Sequence, residues 1–200
     1  MVKKLFIGTA LSVFMVISTN AVEPDLENKV VQIGESSAKE LLKTLKSSLM
    51  KAMSEGTVYD AVKFCSKKAI PLTKQVERKI DHGIKIKRTS LKYRNPKNAP
   101  DEYEKKALIY FEQVLKKKGK LPPYLIQELN ENGKKYYRYY KPLKVGTLCL
   151  TCHGEPDKMD QKLLKIIKER YPEDKATGYK LGDFRGVVRV SIPENLVKDH

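Results

Sequence analysis

Residues 136–154 read YYRYYKPLKVGTLCLTCHG. The first half alternates in the manner of a strand. Tyr136, Arg138 and Tyr140 fall on one face, and Tyr137, Tyr139 and Lys141 on the other. The second half carries Cys149-Leu-Thr-Cys152-His153, two thiols and an imidazole within one short turn. A strand thus delivers a reactive motif to the end of a sheet. Tyr124–Leu129 and Lys134–Leu143, joined by a turn at Asn130–Gly133, complete a hairpin.

Outward from this hairpin the chain alternates between helix and strand patterns. Ala38, Leu41, Leu42, Leu45, Leu49, Ala52 and Met53 recur at helical spacing, with Lys39, Lys43, Lys46 and Lys51 between them, so 24–56 reads as one long amphipathic helix. Thr57 is a plausible N-cap for a second helix with Val58, Ala61, Val62, Cys65 and Ala69 on one face. Pro71 is expected to bend or end it. Residues 83–91 alternate as a strand, 94–100 (RNPKNAP) are turn chemistry, and 101–118 form a helix with Ala107, Leu108, Phe111 and Leu115 inward. A short Lys-rich helix over 160–170, a glycine-punctuated loop and a final strand at 187–193 follow. The order predicts an α+β fold, an antiparallel sheet flanked by helices, with long helices at the N-terminal side.

The first residues are of another kind. Lys3 and Lys4 precede the apolar run Leu5–Ile17, and Thr19 and Ala21 stand at the small-residue positions before a cut ahead of Val22. This predicts a signal peptide over 1–21 and one domain over 22–200. The apolar run is shorter than the ~20 residues that span a bilayer, so cleavage is favoured over a retained anchor. No later stretch is apolar enough to span a membrane. Export points to a bacterial periplasm, where disulfides are permitted. Nucleic acid is not an expected partner there. The formal net charge of +16, from 40 basic against 24 acidic residues, suits either solvated lysine faces or steering toward an acidic partner.

Covalent haem attachment needs two thiols that reach the two vinyl groups of one porphyrin, and a histidine that reaches its iron from the same turn. C-x-x-C-H satisfies both. Attachment takes place outside the cytoplasm, which agrees with the leader. The rival readings fit less well. A structural zinc site needs four ligands, and only Cys65 and His82 remain to complete one. A redox C-x-x-C wants a βαβ setting that is absent from this order. The sequence therefore predicts one haem c on Cys149 and Cys152, with His153 on the iron.

For the iron's other face the candidates are Cys65, His82, His200, Met50, Met53 and Met159. His200 is the last residue, Met159 follows His153 too closely to reach across, Met50 and Met53 match a core stripe, and His82 beside Gly83 reads as a turn. Cys65 alone reads as a small buried hydrophobe. Yet it is the odd thiol in an oxidising compartment, and ligation to iron would occupy it.

Four stretches then occur in order: AVKFCSKKA (61–69), IKRTSLKYRNPKNAPDEYE (86–104), YYRYYKPLKVGTLCLTCHG (136–154) and YPEDKATGYKLGDFRGVVRVSIP (171–193). Together they resemble a c-type haem domain family with a PAS-like fold, long catalogued as a domain of unknown function. The resemblance covers nearly all of the mature chain. It implies porphyrin on Cys149 and Cys152, with His153 and Cys65 as the axial pair. A thiolate ligand favours ferric iron and a low potential. It also lends itself to release on reduction, opening a site for NO or CO. Arg88, Ser90, Arg94, Asn95 and Asn98 match the family's R-N-P region. Arg88 and Arg94 are candidates for pairing with a haem propionate. The alternative for this region is a loop held by side-chain-to-backbone bonds.

Relatives are often joined to membrane-bound signalling modules such as histidine kinases. This chain carries neither a kinase nor a second transmembrane segment, so a sensor role would need a separate partner. Two functions follow as expectations: a periplasmic redox or gas sensor with His/Cys-ligated haem, or a small basic electron carrier docking on an acidic redox partner. No acid/base pair or nucleophile constellation is visible, so no enzymatic reaction is assigned.

Overall fold

The structure, a computed structural model, describes residues 24–80 and 82–198. The expected signal peptide over 1–21 and the ligand candidate His200 lie outside the described residues. The elements run α1 (Pro24–Ser54), α2 (Val58–Ile80), β1 (Lys85–Thr89), α3 (Glu102–Lys118), β2 (Leu125–Glu131), β3 (Lys134–Lys144), α4 (Thr147–His153), α5 (Gln161–Arg170) and β4 (Phe184–Pro193). The four strands form one sheet in the order β1-β4-β3-β2, antiparallel throughout. This is the expected α+β, PAS-like arrangement.

The sheet's two faces are covered by different helices. On one face Tyr137, Tyr139, Ile86, Val188, Val190 and Ile192 pack with Val30, Ala38 and Leu41 of α1 and Val76 of α2. On the other, Tyr140, Val187 and Phe184 pack with Ala107, Leu108 and Phe111 of α3. Fully burying each such side chain contributes about 1.5–3 kcal/mol. The Tyr-rich strand is therefore core. Tyr139 donates to Glu35 at 2.5 Å, and Tyr140 to Gln127 at 2.7 Å.

Buried α1 positions Val30, Gly34, Ser37, Ala38 and Leu41 make one stripe. Gly34 is required within it. A Cβ there would stand 2.2 Å from Cγ of the Tyr139 ring. Without one, the helix settles directly on β3.

Helix α2 lies along α1 and is pinned to the edge strand. The buried Glu77 carboxylate accepts the backbone N–H of Ile86 at 2.7 Å, which satisfies an edge donor of β1 and sets helix against strand. Pro71 does not end this helix, which continues to Ile80. Pro71 and Lys67, whose carbonyl loses its donor, both lie on the exposed face, where water can take the bond. Helix α3 starts on a capping box. Asp101 accepts from the Glu104 N–H at 2.7 Å, and Glu104 accepts from the Asp101 N–H at 2.9 Å. No helix among the described residues is long and apolar enough to cross a membrane.

Candidate haem-attachment site

The motif Cys149-Leu-Thr-Cys152-His153 forms the last five residues of the short helix α4. Cys149 and Cys152, three residues apart, share one helix face, and His153 stands one turn after Cys149. The two thiols face different neighbours. Cys149 packs beside Val145, Ala176 and Tyr179. Cys152 packs beside Val62 of α2 and Leu163, Leu164 and Ile167 of α5. The motif thus bridges the loop before β4 and the α2–α5 pair.

That loop wraps back over the motif. Gly178 N–H donates to the Gly154 carbonyl at 2.7 Å and Tyr179 N–H to the His153 carbonyl at 3.0 Å. The Ala176 carbonyl lies 2.6 Å from His153 Nδ1. A carbonyl can only accept, so Nδ1 carries the proton and the lone pair is on Nε2. Burial holds the His153 pKa well below its ordinary value, and the positive Arg94, Arg185 and Arg88 push in the same direction. The imidazole is neutral, the form that ligates a metal.

Arg94, in the loop after β1, ties these pieces together. Its Nε and Nη2 each lie 3.1 Å from one oxygen of Asp174. Nη2 also donates to the carbonyls of Cys152 at 2.5 Å and Ala176 at 3.3 Å. A cation on the last carbonyls of α4 suits the negative end of the helix dipole. The rest of this loop is held locally. Asn95 accepts from Lys97 N–H at 3.0 Å, Ser90 Oγ accepts from Lys92 N–H at 3.2 Å, and the Asn98 carbonyl accepts from Thr89 Oγ1 at 2.9 Å.

Cys65 belongs to the same cluster. It lies on α2 three residues after Val62, the residue packed with Cys152, and so on the same side of the helix. Burial raises its thiol pKa, while Arg88 and Arg94 act to lower it. Burial likewise raises that of Cys152, opposed by Arg94, with Cys65 and Cys149 adding to the rise. Among the remaining ligand candidates, Met159 is buried in the α2–α5 core and Met50 is 45% exposed on α1. Met53 lies in the last turns of α1. His82 is exposed, with a positive φ of 56°, at the opposite end of β1 from Arg88. Among the described residues no cluster of three or more His, Cys, Asp or Glu is arranged to hold a metal ion by itself.

Two arginines beside this cluster form no ion pair with a carboxylate among the described residues, although Asp174 attracts Arg185 through space. Arg88 reaches the site from β1. Burial lowers its pKa, and it senses Cys65, Arg185 and Tyr171. Its side chain makes no hydrogen bond or ion pair among the described residues. Arg185 donates to the Lys92 carbonyl at 3.2 Å and to Tyr179 Oη at 3.5 Å. Its guanidinium lies 5.2 Å from the Tyr179 ring centre, and that ring meets His153 edge-on at 6.3 Å.

Residues 16–193 match the sequence profile of the Tll0287-like family. The chain belongs to that family. Among solved structures, that of the cyanobacterial heme-protein Tll0287 is similar, with a TM-score of 0.56 at 29% sequence identity. The match covers 86% of this chain and 98% of Tll0287. No curated protein matches the chain.

Four members of this site in the Tll0287-like chain escape sequence reasoning. Tyr171 caps the end of α5, Tyr179 sits in what reads as a glycine-punctuated loop, and the Ala176 carbonyl has no side-chain signature at all. Arg185 is the fourth. A signal for it existed in Phe184-Arg185-Gly186, because a glycine just inside a strand marks a bulge.

Proposed function

We propose that this chain is an exported haem protein with one haem c attached through Cys149 and Cys152, its iron held between His153 and Cys65. Bound haem would supply one-electron redox chemistry and an iron that takes diatomic gases. The observation that carries the reading is the convergence of Cys65, from a different helix, on the Cys149–His153 motif, whose histidine offers a neutral Nε2.

The residues present fit such a group. Cys149 and Cys152 would hold the porphyrin through thioether bonds to its two vinyl groups, an addition that needs no oxidant. Arg88 offers a propionate a guanidinium that has no hydrogen-bond or ion-pair partner among the described residues. Arg94, the other arginine expected there, has Nε and Nη2 engaged by Asp174, Cys152 and Ala176, which leaves only Nη1 to offer. Its part is to brace the motif and add positive charge behind it.

A thiolate from Cys65 would favour ferric iron and would bind ferrous iron more weakly, which would free a position for a diatomic gas. We therefore favour a redox or small-gas sensor, with no catalysed reaction, working in the periplasm. Optical and EPR spectra in both oxidation states test it, for wild type and Cys65→Ala. The ferric spectra should differ between the two, and the reduced wild type should take up CO or NO. Unchanged ferric spectra would remove Cys65 from the iron. A reduced protein that refuses both gases would end the sensor reading.

A second reading has its own support. Lys67 and Lys68 on α2 and Lys165 and Lys168 on α5 are exposed and without ion pairs among the described residues. Those two helices flank Cys65 and Cys152. A basic face beside the haem suits docking on an acidic redox protein, with electron exchange that slows steeply as salt rises. Exchange insensitive to salt would count against it.

A further inference from the structure

We propose that Arg185, turned toward the site by a β-bulge, is the second propionate-binding arginine of the pocket, acting beside Arg88. The proposal rests on the haem reading above and assigns a residue that the reading leaves without a role.

The backbone places Arg185 there against the strand's own alternation. In β4, Val188, Val190 and Ile192 face α1 and α2, and Val187 faces α3. Counting back by twos, Arg185 should share the α3 face with Val187. It does not. Leu143 pairs with Gly186 and Lys144 with Phe184, so the ladder passes over Arg185. Phe184, not Arg185, packs in the α3 cluster with Val187. The extra residue re-aims the side chain, which is a common use of bulges beside functional sites.

The bulge depends on Gly186. Its φ is +140°, and a Cβ on it would stand 2.4 Å from the Thr89 carbonyl oxygen and 2.8 Å from Ser90 Cβ. The chain thus keeps a glycine in a conformation closed to other residues, and the result is an arginine beside His153.

The charge balance shows what Arg185 lacks. Arg88, Arg94 and Arg185 lie close enough to act on His153 together. Among the described residues the one carboxylate ion-paired with any of them is Asp174, on Arg94, and it attracts Arg185 only through space. Arg88 and Arg185 repel one another and are desolvated, with burial the main cause of the lowered pKa of each. Two unpaired guanidinium groups in a desolvated cluster call for two anions. A haem brings two carboxylates on one edge, and guanidinium is the side chain best shaped to hold them. Arg185 is also preorganised, stacked on Tyr179 and anchored by the Lys92 carbonyl.

The test uses the haem-loaded protein as wild type, Arg185→Gln and Arg185→Lys. Covalent haem is quantified by pyridine haemochrome, the propionate bending mode by resonance Raman, and the reduction potential by titration. In Arg185→Gln the propionate mode should shift and the potential should fall, because a positive charge near the iron is gone. Arg185→Lys should keep the potential near wild type but still shift the mode, because an ammonium cannot form the planar fork. This second variant decides the matter if Arg185→Gln does not load haem. A propionate mode at its wild-type position in the loaded variants overturns the proposal and leaves the haem reading standing. A wild-type chain without covalent haem overturns both.

Discussion

Arg94 closes a planar fork on Asp174, with Nε and Nη2 each 3.1 Å from one carboxylate oxygen. The two residues come from loops on opposite sides of the Cys149–His153 motif. Their side chains are 14% and 6% exposed, so the pair is largely out of water. Arg94→Ala would leave Asp174 buried without its partner, at a cost of about 3–5 kcal/mol. Arg94→Lys should recover less than half of that, because lysine cannot make the fork. Denaturant midpoints of the three proteins measure both effects, and a lysine variant as stable as wild type would refute the role of geometry.

Glu104 presents a second buried charge. It is fully buried between Lys87 Nζ at 2.7 Å and Arg189 Nε at 3.0 Å. The same carboxylate accepts the Asp101 N–H at 2.9 Å. Glu104→Gln keeps the shape but strands two cations between β1, β4 and α3. We expect a loss of about 3 kcal/mol or more, read by chemical denaturation. Glu104→Gln at wild-type stability would show that the network contributes nothing net.

The contact between Gly34 and Tyr139 gives a packing test. Tyr139 cannot swing away from a new methyl group, because its hydroxyl is bound to Glu35 and its ring stacks on Tyr124 at 5.7 Å. Gly34→Ala should cost about 3 kcal/mol, the upper end of the usual range for overpacking. Tyr139→Leu in the same chain should return part of it. A double-mutant cycle with no coupling between the two sites would refute the close packing.

Glu35 supplies a pH dependence. Burial works against its carboxylate, yet Lys141, Tyr139 and Lys39 together hold its pKa below the ordinary 4.5. The native state therefore binds fewer protons here than the unfolded chain. The stabilisation is present above pH 4.5 and is lost as pH falls through the native value. Wild type should exceed Glu35→Gln in stability at neutral pH, and the gap should narrow by about pH 3.5. Urea midpoints at both pH values check this, and a constant gap would exclude Glu35 as the titrating group.

Much of the fold is legible before any coordinates. The α1 stripe, the Asp101 start of α3 and the β2–β3 hairpin all follow local rules of spacing and capping. The sheet order does not, because β4 reaches its place between β1 and β3 through contacts distant in sequence. Pro71 does not stop its helix for a related reason: α2 is carried on by packing against α1, which no local rule contains. At the site, Cys149, Cys152 and His153 announce themselves by spacing. Cys65 is visible only as an unpaired thiol. Arg185 is hidden because alternation sends it to the wrong face until the Gly186 bulge is known.

The bond between His153 and Ala176 also has a history. The carbonyl lies 23 residues downstream of the ring it orients. A chain made from its N-terminus presents the two cysteines and the histidine first, with the imidazole still free to turn. The ring acquires its fixed tautomer only after the later loop has arrived and folded back. Synthesis thus leaves an interval in which the thiols are accessible and the imidazole is not yet aimed, and the closing of that loop is what ends it.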